Sequence, residues 1–168
     1  MSHENESTAE EDQVRARAIV LRQLAMAPKS RHQLALKLSQ RDIPEEAANA
    51  VLDRFEQVEL IDDAEFAFMW VRSRAQTRSL ARPALKRELA EKGIASELAE
   101  EALAQLSDED ERAAAEALVR RRLRADAAAE RTGRDKEMRR LVGMLGRKGY
   151  NGGLAFSVVR TVLDELTP

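Results

Sequence analysis

A ten-residue phrase that occurs three times is the feature that most constrains how this chain folds. The copies read LALKLSQRDI (34–43), LKRELAEKGI (85–94) and LVGMLGRKGY (141–150), and they begin 51 and 56 residues apart. In each copy, two leucines four residues apart are followed at fixed offsets by a base, a turn-forming residue and an apolar residue. A recurrence of about 50 residues is typical of a helical repeat array.

The phrase has the pattern of a helix that ends. Leucines four residues apart lie on one face of a helix, and a base in the last turn is favoured by the negative end of the helix dipole. The turn-forming residue then takes the left-handed conformation that commonly closes a helix. We therefore predict this conformation for Asp42, Gly93 and Gly149.

Further helical segments lie on either side of each phrase, which divides the chain into three units of three helices. Alanine and leucine dominate the apolar residues, and this composition favours helix over strand. We predict an all-α protein, an elongated tandem array of three three-helix repeats. The expected boundaries are a disordered acidic tail over residues 1–13 and repeats over residues 14–61, 62–107 and 108–168.

Glycines mark the expected connections inside the third repeat. Residues 125–134, which contain Thr132 and Gly133, are predicted to form the longest internal loop. The NGGL stretch at residues 151–154 is predicted to lengthen the connection that follows the third phrase.

The composition excludes several classes of protein. The chain has no cysteine, so disulfides and thiolate metal sites are excluded. No stretch approaches the roughly 20 apolar residues of a membrane helix, and the N-terminus lacks a signal-peptide pattern. We therefore expect a cytoplasmic protein without membrane contact.

The acids Asp62 and Asp63, followed by Glu65, raise the question of a catalytic or metal site. They lie between two predicted helices, where carboxylates satisfy free N–H groups and meet the positive end of the helix dipole. The two histidines, His3 and His32, are not placed to complete a metal site. We favour helix capping and predict a non-enzyme with no catalytic residue, metal or cofactor. A hydrolase that uses the two aspartates is the least favoured alternative.

The segment after these acids is apolar on two sides. Phe66, Met69 and Trp70 lie on one side of the predicted helix, and Phe68 and Val71 lie on the other. We interpret this segment as a central core helix and predict that Trp70 is largely buried.

Basic residues are concentrated in the second and third repeats. Residues 71–87 carry six bases and no acid, and residues 112–148 carry twelve bases against five acids. Such a surface contacts either nucleic-acid phosphates or an acidic protein, and the residue pattern does not separate the two. The candidate binding residues are Arg72, Arg74, Arg78, Arg82, Lys86, Arg87, Arg120, Arg121, Arg122, Arg124, Arg139, Arg140, Arg147 and Lys148.

Several segments together resemble the RecX family of bacterial proteins, which regulate the RecA recombinase. They are SRHQLALKLSQRDI (30–43), LIDDAEFAFMWVRSRAQ (60–76), LKRELAEKGI (85–94), AAAEALVRRRLR (113–124) and MRRLVGMLGRKGY (138–150). The resemblance implies an array of three-helix repeats that lies in the groove of the RecA filament on single-stranded DNA. It also implies that this docking impedes ATP turnover, strand exchange and filament growth.

The primary hypothesis is a monomeric regulator of RecA in homologous recombination, DNA repair and the SOS response. Its partners would be the RecA filament and single-stranded DNA, contacted directly or within the filament. The alternative is an autonomous DNA-binding protein whose helix pairs act as helix-turn-helix readers. The net charge of −2 and the eight acids of residues 91–111 weigh against this alternative, because an independent DNA-binding protein is usually basic.

Overall fold

The structure is a computed structural model that describes residues 2–124, 128 and 130–166. Over this part of the chain it has nine α-helices of eight or more residues and no strand, which confirms the all-α prediction. The helices are Ser2–Met26 (α1), Arg31–Ser39 (α2), Glu45–Gln57 (α3), Asp63–Arg78 (α4), Arg82–Glu91 (α5), Ser96–Leu103 (α6), Asp108–Arg122 (α7), Arg131–Arg147 (α8) and Gly152–Asp164 (α9).

The first helix corrects the expectation of a disordered tail over residues 1–13. Helix α1 begins at Ser2 and continues to Met26 without interruption. The stretch contains neither glycine nor proline, and its acids lie near the positive end of the helix dipole. Low hydrophobicity therefore did not prevent helix formation, since this segment extends a helix that is anchored further along by the buried Ala16 and Val20.

All three phrases end their helices in the same way. Asp42, Gly93 and Gly149 have φ angles of 57°, 72° and 90°, which confirms the left-handed conformation predicted for them. The next residue then donates its N–H to the carbonyl of the second leucine, as in the 3.1 Å bond from Tyr150 N to Leu145 O. This is the Schellman motif, and it satisfies carbonyls that a helix end would otherwise leave unbonded.

The chain forms two compact units by contact. The first unit comprises Met1–Met69 and Leu89–Ala99. Helices α1, α2 and α3 pack together in it around a buried cluster that contains Ala16, Val20, Leu34, Leu38, Ile43, Ala47, Ala48, Val51, Leu52, Phe55 and Ile61.

The second unit comprises Trp70–Glu88 and Glu100–Pro168. Helix α9 packs against α7 and α8 around a buried cluster that contains Ala81, Ala115, Leu118, Val119, Leu141, Leu145, Tyr150, Ala155, Val158, Val159, Val162 and Leu163. The predicted second repeat, residues 62–107, therefore contributes residues to both units.

Two stretches assigned to connections are helical instead. Thr132 and Gly133 lie in α8, and Gly152 and Gly153 form the first turn of α9, where Asn151 caps the helix by accepting from Gly153 N at 2.8 Å. The buried apolar faces of α8 and α9 outweigh the roughly 1 kcal/mol that a helical glycine costs relative to alanine. Of the predicted loop, residues 125–127 and 129 lie outside the described residues.

Candidate anion-binding cleft

Ion pairs divide the fourteen candidate bases into two groups. Arg74, Arg82, Lys86, Arg120 and Arg140 each pair with at least one carboxylate. The other nine make no ion pair within the described part of the chain: Arg72, Arg78, Arg87, Arg121, Arg122, Arg124, Arg139, Arg147 and Lys148. The positive charge available to a partner is therefore smaller and more localised than the sequence indicates.

Four of the unpaired bases line one cleft in the second unit. The cleft has a volume of about 470 Å³ and is lined by Thr77, Arg78, Ser79, Leu118, Arg121, Arg122 and Lys148. No carboxylate is among these lining residues. We call it the basic cleft.

Helix ends bring the four bases together. Arg78 is the last residue of α4, Arg121 and Arg122 lie in the last turn of α7, and Lys148 caps the C-terminus of α8. Each base thus sits at the negative end of a helix dipole, which offsets part of the repulsion among them.

Lys148 is held close to the other bases of the cleft. Its Nζ donates to the carbonyl oxygen of Arg78 at 2.7 Å, which holds the ammonium inside the cleft. Partial burial lowers the pKa of Lys148, and the positive charges of Arg122, Arg78 and Arg121 lower it further. The basic cleft is therefore a site of concentrated positive charge.

The wall of the cleft that carries Arg78 and Ser79 is fixed by hydrogen bonds to the end of α8. Tyr150 Oη donates to Ser79 O at 2.9 Å, and Ala81 N donates to Lys148 O at 3.0 Å. Burial raises the pKa of Tyr150 to about 12, so its hydroxyl remains a donor across the ordinary pH range. Ser79 has a φ angle of 51°, a strained conformation for serine that these contacts stabilise.

A buried carboxylate fixes the opposite wall. Glu137 of α8 is 4% exposed, and its carboxylate accepts from Arg140 Nε at 2.8 Å and from Arg124 N at 3.2 Å. Arg140 Nη2 also donates to Arg122 O at 2.6 Å, so this pair holds the end of α7 in place. The hydrogen bond from Arg140 lowers the pKa of Glu137, although burial opposes the shift.

Sequence reasoning missed Glu137. A signal was present, because Glu137 lies four residues before Leu141 and eight before Leu145 on the buried stripe of α8. An acid in such a stripe with an arginine three residues later indicates a buried ion pair.

A longer groove adjoins the basic cleft. It has a volume of about 670 Å³, and it shares Ser79 and Arg121 with the cleft. Val71, Ala75 and Ala114 contribute to its apolar lining, while Arg72 and Gln76 add polar groups. Two of the candidate bases, Arg72 and Arg121, thus border this groove.

The aspartates at the start of α4 act as caps. Asp62 Oδ1 accepts from Glu65 N at 3.0 Å and caps its own helix, as predicted. Asp63 Oδ1 accepts from Arg31 N at 2.8 Å and so caps the start of α2, a role that the sequence did not reveal. Among the described residues, no group of three or more histidines or acids is placed to hold a metal ion.

Trp70 is less buried than we predicted. It is half-buried, and its Nε1 donates to Glu88 Oε2 at 2.9 Å while the Arg74 guanidinium lies 5.4 Å from the ring centroid. Phe68 and Met69 are 40% and 42% exposed. The interpretation of α4 as a helix covered on both sides is therefore wrong for these three residues, because polar partners rather than a second apolar layer meet the indole.

The fold and the cleft define a helical repeat protein that concentrates unpaired cations at the meeting point of three helix ends. Models of the RecX family match the chain twice, with the first three-helix domain at residues 16–55 and the second at residues 62–103. The chain is 52% identical to the regulatory protein RecX of Streptomyces coelicolor over 89% of this chain and 78% of that protein. It is also 48% identical to the regulatory protein RecX of Thermobifida fusca, over 94% and 84% of the two chains. The chain belongs to the RecX family.

Solved structures agree with this fold. The crystal structure of RecX from Lactobacillus salivarius superposes with a TM-score of 0.74 at 22% identity, over 94% of this chain and 97% of that one. A second crystal structure of regulatory protein RecX gives a TM-score of 0.77, also at 22% identity, over 92% and 74%. Within the described residues, no helix combines the length and apolar character needed to cross a membrane.

Proposed function

We propose that this protein regulates the RecA recombinase by docking, as a monomer in the cytoplasm, on the filament that RecA forms on single-stranded DNA. It acts without catalysis and slows ATP hydrolysis, strand exchange and filament growth in recombinational repair and the SOS response. The basic cleft carries this proposal, because it is a preformed cationic surface on a member of the RecX family.

The charge pattern supports docking by electrostatic complementarity. A RecA filament on DNA presents phosphates and acidic side chains, and unpaired cations gain most from such a surface. Bases already neutralised by acids, such as Arg82 with Glu111 and Arg120 with Glu116, gain less from a new anion. The contact therefore centres on the basic cleft and Arg72 rather than on all fourteen candidate bases.

Steady-state ATP hydrolysis by RecA on single-stranded DNA tests the proposal. The wild-type protein should slow hydrolysis, and the triple variant Arg78→Glu, Arg121→Glu, Arg122→Glu should lose this effect. The control reverses three exposed bases that make no ion pair within the described part of the chain and do not line the basic cleft: Arg87→Glu, Arg139→Glu, Arg147→Glu. It changes the net charge by the same amount and should retain most of the inhibition.

Two results would contradict the proposal. One is a wild-type protein that leaves RecA hydrolysis unchanged at any ratio of the two proteins. The other is duplex-DNA binding that is sequence-specific and independent of RecA, which would favour the helix-turn-helix alternative. Circular dichroism and thermal melting of each triple variant separate loss of contact from loss of fold.

A further inference from the structure

We propose that the basic cleft holds consecutive phosphodiester groups of single-stranded nucleic acid, with Arg78, Arg121, Arg122 and Lys148 as their ligands. The inference rests on the proposed function, since it names the part of the filament that occupies the cleft. It assigns the cleft to the nucleic-acid strand rather than to acidic side chains of the recombinase.

The first observation is uncompensated charge. Four cations line a single cleft without a lining carboxylate, while five other bases of the same two repeats have acids as partners. A cluster of like charges raises the free energy of the folded chain unless an anion enters. The cleft therefore gains stability from an anionic ligand.

The second observation is that the backbone around the cleft is held in place before any ligand binds. Tyr150 and Lys148 anchor the wall with Arg78 and Ser79, and Glu137 with Arg140 anchors the wall with Arg122. Anchoring of this kind lowers the ordering cost of binding. It also distinguishes the cleft from a solvated helix face, whose bases have no fixed mutual arrangement.

The third observation concerns the hydroxyl at the rim. Ser79 Oγ accepts from Arg121 Nη2 at 3.4 Å, which leaves its own O–H proton available to donate to an oxygen of a ligand. Guanidinium groups match the paired oxygens of a phosphate, and hydroxyl and backbone donors commonly accompany them.

Charge density favours a phosphodiester over carboxylates. Several cations around one small opening require more than one compact negative charge, and a nucleic-acid strand supplies one charge per nucleotide along a continuous backbone. A protein partner would need several clustered acids that repel one another, and it would ordinarily bury apolar surface at the centre of the contact. Among the described residues that line the basic cleft, Leu118 alone is apolar, and it is 4% exposed and already belongs to the core.

Binding of a fluorescein-labelled oligothymidylate of about 15 nucleotides, measured by anisotropy without RecA, tests the inference. The double variant Arg121→Gln, Arg122→Gln should bind at least about tenfold more weakly than wild type. The matched control Arg87→Gln, Arg139→Gln removes the same charge outside the cleft and should change binding by less than about twofold. The plot of log affinity against log salt should lose about 1.4 of its slope in the cleft variant, at about 0.7 per phosphate contact.

A competition experiment distinguishes a phosphate ligand from a carboxylate ligand. Polyglutamate at the same charge concentration should fail to displace the oligonucleotide, whereas unlabelled oligothymidylate should displace it. The variant Arg121→Lys, Arg122→Lys keeps the charge and the fold but loses the paired donors, and it should bind with intermediate affinity.

Three results would overturn the inference: equal losses in the cleft and control variants, equal displacement by polyglutamate, or no oligonucleotide binding at low salt. None of them depends on RecA, so they are distinguishable from failure of the proposed function. If these arms fail while the ATPase effect still requires Arg78, Arg121 and Arg122, the cleft contacts the recombinase and not the strand.

Discussion

Two turns, one in each compact unit, are built on the same plan but differ in charge. In the first unit, Ser30 Oγ donates to Lys92 O at 2.6 Å, and the N–H of Arg31 is capped by Asp63. In the second unit, Ala81 N donates to Lys148 O at 3.0 Å. There the N–H of Arg82 is capped by Glu111 Oε1 at 2.6 Å.

In each turn, the C-terminal end of a helix that comes later in the chain is hydrogen-bonded to the connection that precedes a short helix, α2 or α5. An acid from later in the chain then accepts from the first N–H of that short helix. The residues just before the turn differ. Ala27 and Pro28 precede Ser30 in the first unit, whereas Arg78 and Ser79 occupy the corresponding place in the second. The same arrangement of backbone hydrogen bonds therefore occurs in both units. The side chains that precede the turn make the second copy part of the basic cleft.

The largest expected effect comes from filling the space beside the left-handed glycines. A Cβ on Gly149 would lie 2.8 Å from Ala84 N, and a Cβ on Gly93 would lie 2.3 Å from the Cβ of His32. Gly149→Val and Gly93→Val should each lower the free energy of unfolding by about 3 kcal/mol, from left-handed strain together with overpacking. Urea unfolding measures both.

Gly146→Ala is the control for these variants. Gly146 is helical and has nothing within 4 Å of an added Cβ, so the substitution should raise the free energy of unfolding by about 0.5–1 kcal/mol. A loss from Gly93→Val far smaller than from Gly149→Val would break the equivalence of the two turns.

Glu137→Gln should lower the free energy of unfolding by about 2 kcal/mol, because it leaves Arg140 without its carboxylate in a mostly buried site. The folded pKa of Glu137 is depressed below its ordinary value of 4.5. The contribution of the Glu137 carboxylate to the free energy of unfolding is therefore fully present above pH 4.5 and is lost as the pH falls through the folded pKa. Urea unfolding from pH 7 to pH 3 should show the wild type and variant converging in acid, and a constant difference would contradict the assignment.

Removing the side-chain hydroxyl from each turn tests how much each turn depends on its hydrogen bonds. Ser30→Ala deletes both the N-cap of α2 and the bond to Lys92 O, and it should cost about 1–2 kcal/mol. Tyr150→Phe deletes only the bond to Ser79 O and should cost about 1 kcal/mol. Thermal melting of the two variants should rank them in this order, and the reverse order would mean that the basic turn depends more on its side-chain bond.

The smallest expected effect is the titration of Lys148. Because its folded pKa is lowered from the ordinary 10.5, the folded protein releases this proton before the unfolded chain does. The stability of the wild type relative to Lys148→Gln should therefore rise with pH between the folded pKa and 10.5. Urea unfolding at several pH values above 8 measures the trend, and a fall over this range would mean that neither burial nor the neighbouring arginines lower the pKa of Lys148.

Local pattern was enough to predict much of the fold. The left-handed ends at Asp42, Gly93 and Gly149 and the cap at Asp62 follow from residues within one turn of each position. The helical N-terminus did not follow, because this segment extends a helix that is anchored further along by Ala16 and Val20. The helical Gly133 and the half-buried Trp70 did not follow either, because packing and distant polar partners outweighed the local pattern there.

Periodicity and composition, which are local properties of the chain, were enough to predict its all-α character and the concentration of bases over residues 71–148. Which of these bases remain available for binding depends on tertiary contacts. Arg82 and Arg120 find carboxylates 29 and 45 positions away, whereas Arg78 and Lys148, 70 positions apart, meet in a cleft whose described lining includes no carboxylate. Such pairings depend on how helix ends converge in space, and three helix ends converge at the basic cleft, where no carboxylate is among the described lining residues.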